Sequence, residues 1–324
     1  MRAVQVTRLE GPQAVEVVDI DEPAGEGTVV IDVYAAGVAF PDALQSRGLY
    51  QYKPQLPFVL GAELAGVVRS APEGAHVAPG DRVAGLTMLT GAMAEVVALP
   101  PERVFRLPDT VSFEAGAGLL FNDLTVHFAL RQRGRLRDGD SVLVHGAAGG
   151  VGTSTLRLAP ALGAARTIAV VSTPDKVDIA KAAGASDVLL ADGFKDAVAA
   201  LTGGRGVDIV VDPVGGDRFT DSLRSLGPGG RLLVVGFTGG EIPTVKVNRL
   251  LLNNVDVVGV GWGAWTLSHP GYLAQQWAEL EPLLASGRVS APSPVVYPLT
   301  RAAEAIASLE NRTARGKAVL RVRE

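Results

Sequence analysis

Apolar positions follow two different rhythms along this 324-residue chain. Up to about residue 115 they come in short runs cut by glycine and proline. Val15 to Ile20, Thr28 to Ala35, Ala65 to Val68 and Ala94 to Leu99 are such runs, and Pro79-Gly80-Asp81 turns into another at Arg82-Val83. That pattern predicts an all-β module. The segment from Phe113 to Arg131 is apolar and helix-compatible, and it bridges to the second rhythm. From Ser141 onward, strand-like runs alternate with helical patterns. The strands are Ser141 to His145, Thr167 to Val171, Val188 to Leu190, Val207 to Val211, Arg231 to Val235 and Val255 to Val260. Helical candidates lie at Thr153 to Leu162, Pro174 to Ala183, Phe194 to Thr202 and Asp217 to Leu226. Such alternation predicts a parallel sheet covered by helices on both faces, a doubly wound α/β unit. After Gly261 come a helix (Tyr272 to Ala285) and strand-like pieces at Val295 to Leu299 and Ala318 to Val322. This tail reads as a return to the first module. The expected divisions are 1–118, 119–260 and 261–324, the middle one inserted into the module that the outer two build.

Composition narrows the function classes. At 47% hydrophobic and 20% charged the chain has an ordinary globular balance. A net charge of −4 and the lack of any basic run interleaved with aromatics argue against nucleic acid as a partner. No apolar run approaches about 18 residues and the N-terminus carries no signal core, so no membrane span and a cytoplasmic location are expected. Cysteine is absent, which removes disulfides, thiol nucleophiles, iron–sulfur ligation and cysteine-built zinc sites. The four histidines, His76, His127, His145 and His269, show no metal-ligand spacing. His145 ends a buried strand and reads as a packed, neutral imidazole.

Chemistry enters at residues 141–152, Ser-Val-Leu-Val-His-Gly-Ala-Ala-Gly-Gly-Val-Gly. A strand, a glycine turn and a helix in that order open a dinucleotide-binding unit. The fingerprint reads A-x-G-x-x-G, with Ala147 in its first small position. Gly149 lets backbone approach a pyrophosphate, Gly152 lets the helix pack close to the strand, and the helix start at Gly150 and Val151 offers free N–H groups. An ordinary tight turn is the other reading of a glycine-rich strand end.

The whole chain resembles the zinc-free quinone oxidoreductase (ζ-crystallin-like) branch of the medium-chain dehydrogenases/reductases. The resemblance rests on Ala36-Gly37-Val38 to Asp42, Arg47-Gly48-Leu49-Tyr50, Leu56-Pro57-Phe58-Val59-Leu60-Gly61-Ala62-Glu63 with Gly66, and Gly80-Asp81-Arg82-Val83. It continues through the glycine turn, Asp212-Pro213-Val214-Gly215-Gly216 and the closing Gly316-Lys317-Ala318-Val319-Leu320. It implies a GroES-like, β-rich catalytic domain, a Rossmann domain and a nicotinamide site in the cleft between them. Zinc-dependent relatives carry a cysteine where this chain has Ala39 and a histidine where it has Ala62, so no catalytic zinc is expected. Glu63 is then a direct participant or, by the plainer reading, a buried acceptor holding loops together. Quinone oxidoreductases usually place an asparagine at the position of Ala39; Asn122, on the segment that faces the nicotinamide in relatives, is the candidate replacement amide. Asp42 fits a capping or turn role equally with a functional one.

Enzymes using NAD place a carboxylate at the end of the second strand to hold the ribose hydroxyls. Here that position reads Ser172-Thr173-Pro174-Asp175-Lys176, so Ser172 and Thr173 can donate to a 2′-phosphate and Lys176 can neutralise it. Thr173 is also a plain N-cap before Pro174, and Lys176 a plain solvated lysine. The resemblance to relatives with serine and lysine here favours NADPH. Gly236 and Phe237, closing the fifth strand, are candidates to meet the nicotinamide end, and Arg312 to touch a phosphate; an ordinary turn and an exposed arginine are the alternatives. No serine–histidine pair, thiol or carboxylate dyad is evident, so hydride transfer, in which the cofactor carries the reaction, is favoured over hydrolysis. The family's Arg-x-Gly-x-Tyr pattern makes Tyr50 the candidate donor to the developing oxyanion. Trp262 and Trp265 wall a flat substrate or pack a dimer. The leading expectation is an NADPH-dependent quinone reductase. The alternatives are a double-bond reductase of enones, enals or enoyl thioesters, and a low-turnover NADPH-binding sensor. The apolar run from Val255 to Val260, at the sheet edge in relatives, makes a homodimer the expected assembly.

Overall fold

The computed structural model describes residues 1–87 and 89–323, which form two units. The first takes residues 1–121 and those from 271 on; the second takes 122–270. The divisions fall at 121/122 and 270/271, where the sequence reading sets them at 118/119 and 260/261. The later boundary has a packing reason. Residues 262–268 form a helix, Trp262–Ser268, whose Trp262 is buried and whose Trp265 meets Phe128 at 5.7 Å between ring centroids.

In the first unit the strand Val29–Val38 is the organising element. It pairs antiparallel with Glu63–Ser70, with Val96–Leu99 and with Ala318–Arg321, which brings chain from both ends into one sheet. The sheet runs in the order Val295–Pro298, Ala318–Arg321, Val29–Val38, Glu63–Ser70, Arg82–Leu86, Val104–Arg106. A smaller sheet places Arg2–Val6 between Val15–Asp19 and Phe58–Val59. Val29, Ile31, Val33, Leu64 and Val83 are fully buried, as β-branched and apolar side chains on the inner faces of packed sheets should be. The helix Ala302–Glu310 closes this core through Ala305 and Ile306 and packs on the short helix Phe40–Ser46.

The second unit holds six strands, all parallel, in the order Asp187–Leu190, Arg166–Val171, Ser141–His145, Val207–Asp212, Leu226–Val234, Asp256–Gly259. Numbered along the unit this is 3-2-1-4-5-6, the doubly wound order, whose switch point lies between the first and fourth strands. Both of those strands are buried nearly throughout, as a sheet covered on two faces requires. The bridging segment is not one helix. Phe113–Gly116 and Leu120–His127 are separated by Ala117-Gly118-Leu119, and a wider π-type turn follows at Phe128–Arg133. Among the described residues no helix is long and apolar enough to cross a membrane.

Candidate active site

The glycine turn sits at the carboxyl end of Ser141–His145, beside the switch point. Gly146 takes a left-handed conformation, φ 58°, and its carbonyl accepts the N–H of Gly149 at 2.8 Å. The Ala147 N–H donates to Val170 O at 3.1 Å, which ties the turn to the end of the second strand. The helix Gly150–Ala161 follows. Its first intrahelical bond runs from Thr153 N–H to Gly149 O, so the N–H groups of Gly150, Val151 and Gly152 have no acceptor within the helix.

The three glycines that follow Gly146 in the turn exist for different reasons. A Cβ on Gly152 would lie 2.4 Å from Gly146 O and 2.5 Å from Ala147 Cα, so packing against the strand end demands glycine. A Cβ on Gly149 would meet only Gly146 O, at 3.3 Å. That contact is tight but single, so what Gly149 chiefly leaves bare is backbone, which a phosphate can approach closely. A Cβ on Gly150 would lie 2.8–3.0 Å from the side-chain amide of Asn122. That amide therefore stands over the first residue of the helix.

The second strand ends in the expected pair. Lys176 Nζ donates to Ser172 Oγ at 3.3 Å, and no carboxylate replaces the serine at the strand end. Thr173 holds the cap position of the 3₁₀ turn Pro174–Lys176, but its hydroxyl makes no capping bond. Asp175 lies in that first turn. At the other end of the site, the loop carrying Gly236 and Phe237 lies on the loop that follows Val207–Asp212. Thr238 N–H donates to Pro213 O, Gly239 N–H to Val214 O, and a Cβ on Gly215 would meet the Phe237 ring at 3.0 Å. Asp212 shapes the lower loop by accepting the N–H groups of Val214 and Gly215 at 2.8 and 2.9 Å. Phe237 keeps 38% of its surface exposed. Ala147, Gly149, Gly150, Val151, Gly152, Ser172, Thr173, Lys176, Gly236 and Phe237 thus all follow the carboxyl ends of three strands of one sheet, the first, second and fifth of the unit. His145, beneath the turn, is buried with Nε2 2.8 Å from Ser222 Oγ; burial pushes its pKa down to about 4 and keeps the ring neutral.

The first unit buries a cluster of charge where the sequence reading places the lost metal ligands. Asp42 accepts the N–H of Ala39 at 2.7 Å and that of Gly61 at 3.1 Å. Glu63, fully buried, accepts the N–H of Phe121 at 2.8 Å and pairs with the equally secluded Lys317 at 2.6 Å. Gly37 clears room for the pair, since a Cβ there would sit 2.5 Å from Glu63 Cγ. Lys317 is thereby a structural partner of Glu63. Burial pushes Asp42 up to about 7; the N–H of Ala39, the Lys317 charge and the N–H of Gly61 oppose the rise, and Glu63 reinforces it. Tyr50 is half-buried. Burial raises its phenol above the ordinary value, a hydrogen bond with Gln51 pulls it back, and the Asp42 charge adds to the rise. Arg312 is exposed, in a left-handed turn after Ala302–Glu310.

Residues 25–109 match the family model of the alcohol dehydrogenase GroES-like domain, and residues 150–286 that of zinc-binding dehydrogenases. Quinone oxidoreductase-like protein 2 of Rattus norvegicus is 35% identical over 98% of this chain and 91% of its own length. The chain belongs to the zinc-free quinone oxidoreductases of the medium-chain dehydrogenase/reductase family. Among solved structures, a probable oxidoreductase from Mycobacterium abscessus superposes with a TM-score of 0.90 at 42% identity over 99% of both chains. Escherichia coli quinone oxidoreductase, solved in complex with NADPH, gives 0.88 at 30% identity over 99% of this chain and 100% of that one. The zinc in the family model's description does not fit the residues present. Ala39 and Ala62 carry no donor atoms, and Glu63 is committed to Lys317 and Phe121. Among the described residues no group of three or more His, Asp or Glu side chains gathers to hold a metal.

Two features escape a reading of the sequence alone. One is the reason for Gly150, which lies outside the fingerprint positions and whose neighbour Asn122 is far away in the chain. The other is the carboxylate beside Asn122. Asp123 is buried against the nucleotide helix, accepting Ser154 Oγ at 2.6 Å and pairing with Arg157. A carboxylate inside the largely apolar stretch from Phe113 to Leu130 was the available signal.

Proposed function

We propose that this protein is an NADPH-dependent, metal-independent quinone reductase. The observation that carries the reading is the pairing of Ser172 with Lys176 at the end of the second strand, together with the bare backbone at Gly149. A 2′-phosphate finds a hydroxyl and an ammonium group there, and no carboxylate replacing Ser172 to repel it. When bound, the nicotinamide supplies a hydride. The chain's own residues hold and shield the reactants. The N–H groups of Gly150, Val151 and Gly152 receive the diphosphate, and Gly236 and Phe237 border the nicotinamide end. Tyr50, kept protonated by its burial, donates a hydrogen bond to the oxygen that gains charge as a quinone is reduced. Water then delivers the proton that completes the hydroquinone. Arg312 serves as an outer phosphate contact.

The same reading makes the protein a homodimer through the edge strand Asp256–Gly259. Its outward carbonyl at Gly259 already accepts Arg133 Nε at 2.9 Å, and Arg135 pairs with Asp256 at 2.6 Å. Pairing of two copies then displaces Arg133, and Val257→Lys should weaken it; a monomer mass by light scattering at micromolar concentration would rule the dimer out.

The deciding experiment follows NADPH oxidation against a panel of quinones and enones, with and without a chelator. Saturable quinone turnover that chelation leaves unchanged is expected. Turnover of enones with none of any quinone would replace this reading by that of a double-bond reductase. Binding of NADPH with no turnover at all would replace it by that of a sensor.

A further inference from the structure

The segment Asn122-Asp123 lies along one stripe of the nucleotide helix. Gly150, Ser154 and Arg157 are spaced i, i+4, i+7, so they share a face. Asp123 is fastened to two of them, by the Ser154 hydroxyl at 2.6 Å and by the Arg157 guanidinium. Both partners of this ion pair are buried, with side-chain exposures of 5% for Arg157 and 1% for Asp123. The third member of the stripe, Gly150, lies beneath the Asn122 amide. Asn122 is only 6% exposed, and its side chain makes no hydrogen bond among the described residues. The amide keeps access to solvent, and it stands at a helix start whose own N–H groups lack acceptors, so a ligand can reach both. The two meet at one place. A single anionic oxygen there would satisfy both.

We propose that the Asn122 amide is a ligand of the cofactor's diphosphate, and that Asp123, gripped by Ser154 and Arg157, is the positioning residue that holds it there. This rests on the nucleotide reading above, and it moves Asn122 from the nicotinamide end, where the sequence reading places it, to the phosphates. The glycine at position 150 is then part of the same device. It leaves the gap that the amide fills.

The test uses the full chain and two probes, NADPH and 2′-phospho-ADP-ribose, which keeps the diphosphate and lacks the nicotinamide. Asn122→Ala should weaken both by about tenfold, the worth of one hydrogen bond to a charged group. Asn122→Asp, which sets a carboxylate against the phosphates, should weaken both further. Asp123→Asn strands a buried guanidinium and is liable to misfold, so Ser154→Ala is the milder probe of the clamp. It should weaken both probes about threefold in the parent and not at all in the Asn122→Ala background, while lowering the melting temperature equally in both. A merely structural serine would produce the same affinity loss in both backgrounds, and that result overturns the positioning role. Unchanged binding of 2′-phospho-ADP-ribose by Asn122→Ala, with NADPH weakened, overturns the diphosphate contact. If the unaltered protein binds neither probe, the nucleotide reading itself has failed, and the proposal falls with it.

Discussion

The region around Ala39, Ala62 and Glu63 and the turn from Gly146 to Gly152 differ in what they leave unsatisfied. In the first, every charge is answered from within. Asp42 holds two backbone N–H groups, and Glu63 holds Lys317 and the N–H of Phe121. In the second, consecutive N–H groups lack intrahelical acceptors, and the Asn122 amide stands over the first of them. Both are rich in polar atoms. A saturated cluster indicates architecture, whereas an unsaturated one indicates a ligand. The family model that names zinc matches the chain, yet the residues at the ligand positions have become part of a self-sufficient ionic core.

That contrast can be broken most forcefully at Lys317. Lys317→Met leaves Glu63 buried and uncompensated and should cost about 3–5 kcal/mol in denaturant unfolding. Adding Glu63→Gln should recover much of the loss. A single variant within about 0.5 kcal/mol of the parent would mean that the cluster carries no stability. Lys176→Ala should do the reverse, leaving the melting temperature in place while NADPH affinity falls by about 1.5–3 kcal/mol relative to NADH. Equal affinity of the unaltered protein for the two cofactors would remove the assignment of Ser172 and Lys176. Within the turn, Gly152→Ala forces a Cβ onto Gly146 O and should destabilise by about 1–3 kcal/mol. Gly149→Ala brings its methyl group to 3.3 Å from Gly146 O, a far milder conflict than at Gly152, and should destabilise less than Gly152→Ala while weakening NADPH. Equal destabilisation by the two alanines would erase the distinction between packing glycine and ligand glycine.

The smallest net effect concerns pH, because two buried groups oppose each other. Asp42 keeps its proton in the fold up to about pH 7, against 3.8 ordinarily, so its contribution to stability falls as pH rises between those values. His145 stays neutral in the fold down to about 4, against 6.5, so its contribution is lost as pH falls through that window. The slopes offset between about pH 4 and 6.5. Asp42→Asn should leave a stability profile that rises with pH there, and His145→Gln one that falls. Unfolding midpoints of both variants that run parallel to the parent across the window would show that neither group titrates as described.

The sheet of the second unit is legible because strands covered on both faces must be apolar throughout, as Ser141–His145 and Arg166–Val171 are. Phe58–Val59 is too short to show a period, and Phe113 to Arg131 conceals its break because Ala117-Gly118-Leu119 is as apolar as the helices it separates. The same division holds in the site. Gly152 is readable because its constraint comes from residues beside it in the chain. Gly150 and Lys317 are not, because the side chains that explain them, Asn122 and Glu63, arrive from distant segments.

The pairing of Ala318–Arg321 with Val29–Val38 has a consequence for biosynthesis. A ribosome finishes the inserted unit, residues 122–270, before it makes the strand and the lysine that complete the first one. Until the tail emerges, Ala35 to Val38 lack the strand that pairs along one side of them, and Glu63 lacks Lys317. The nascent protein thus carries an apolar sheet edge and a stranded carboxylate in its first unit after the second is already made, and this is the stage at which it most needs shielding from other chains.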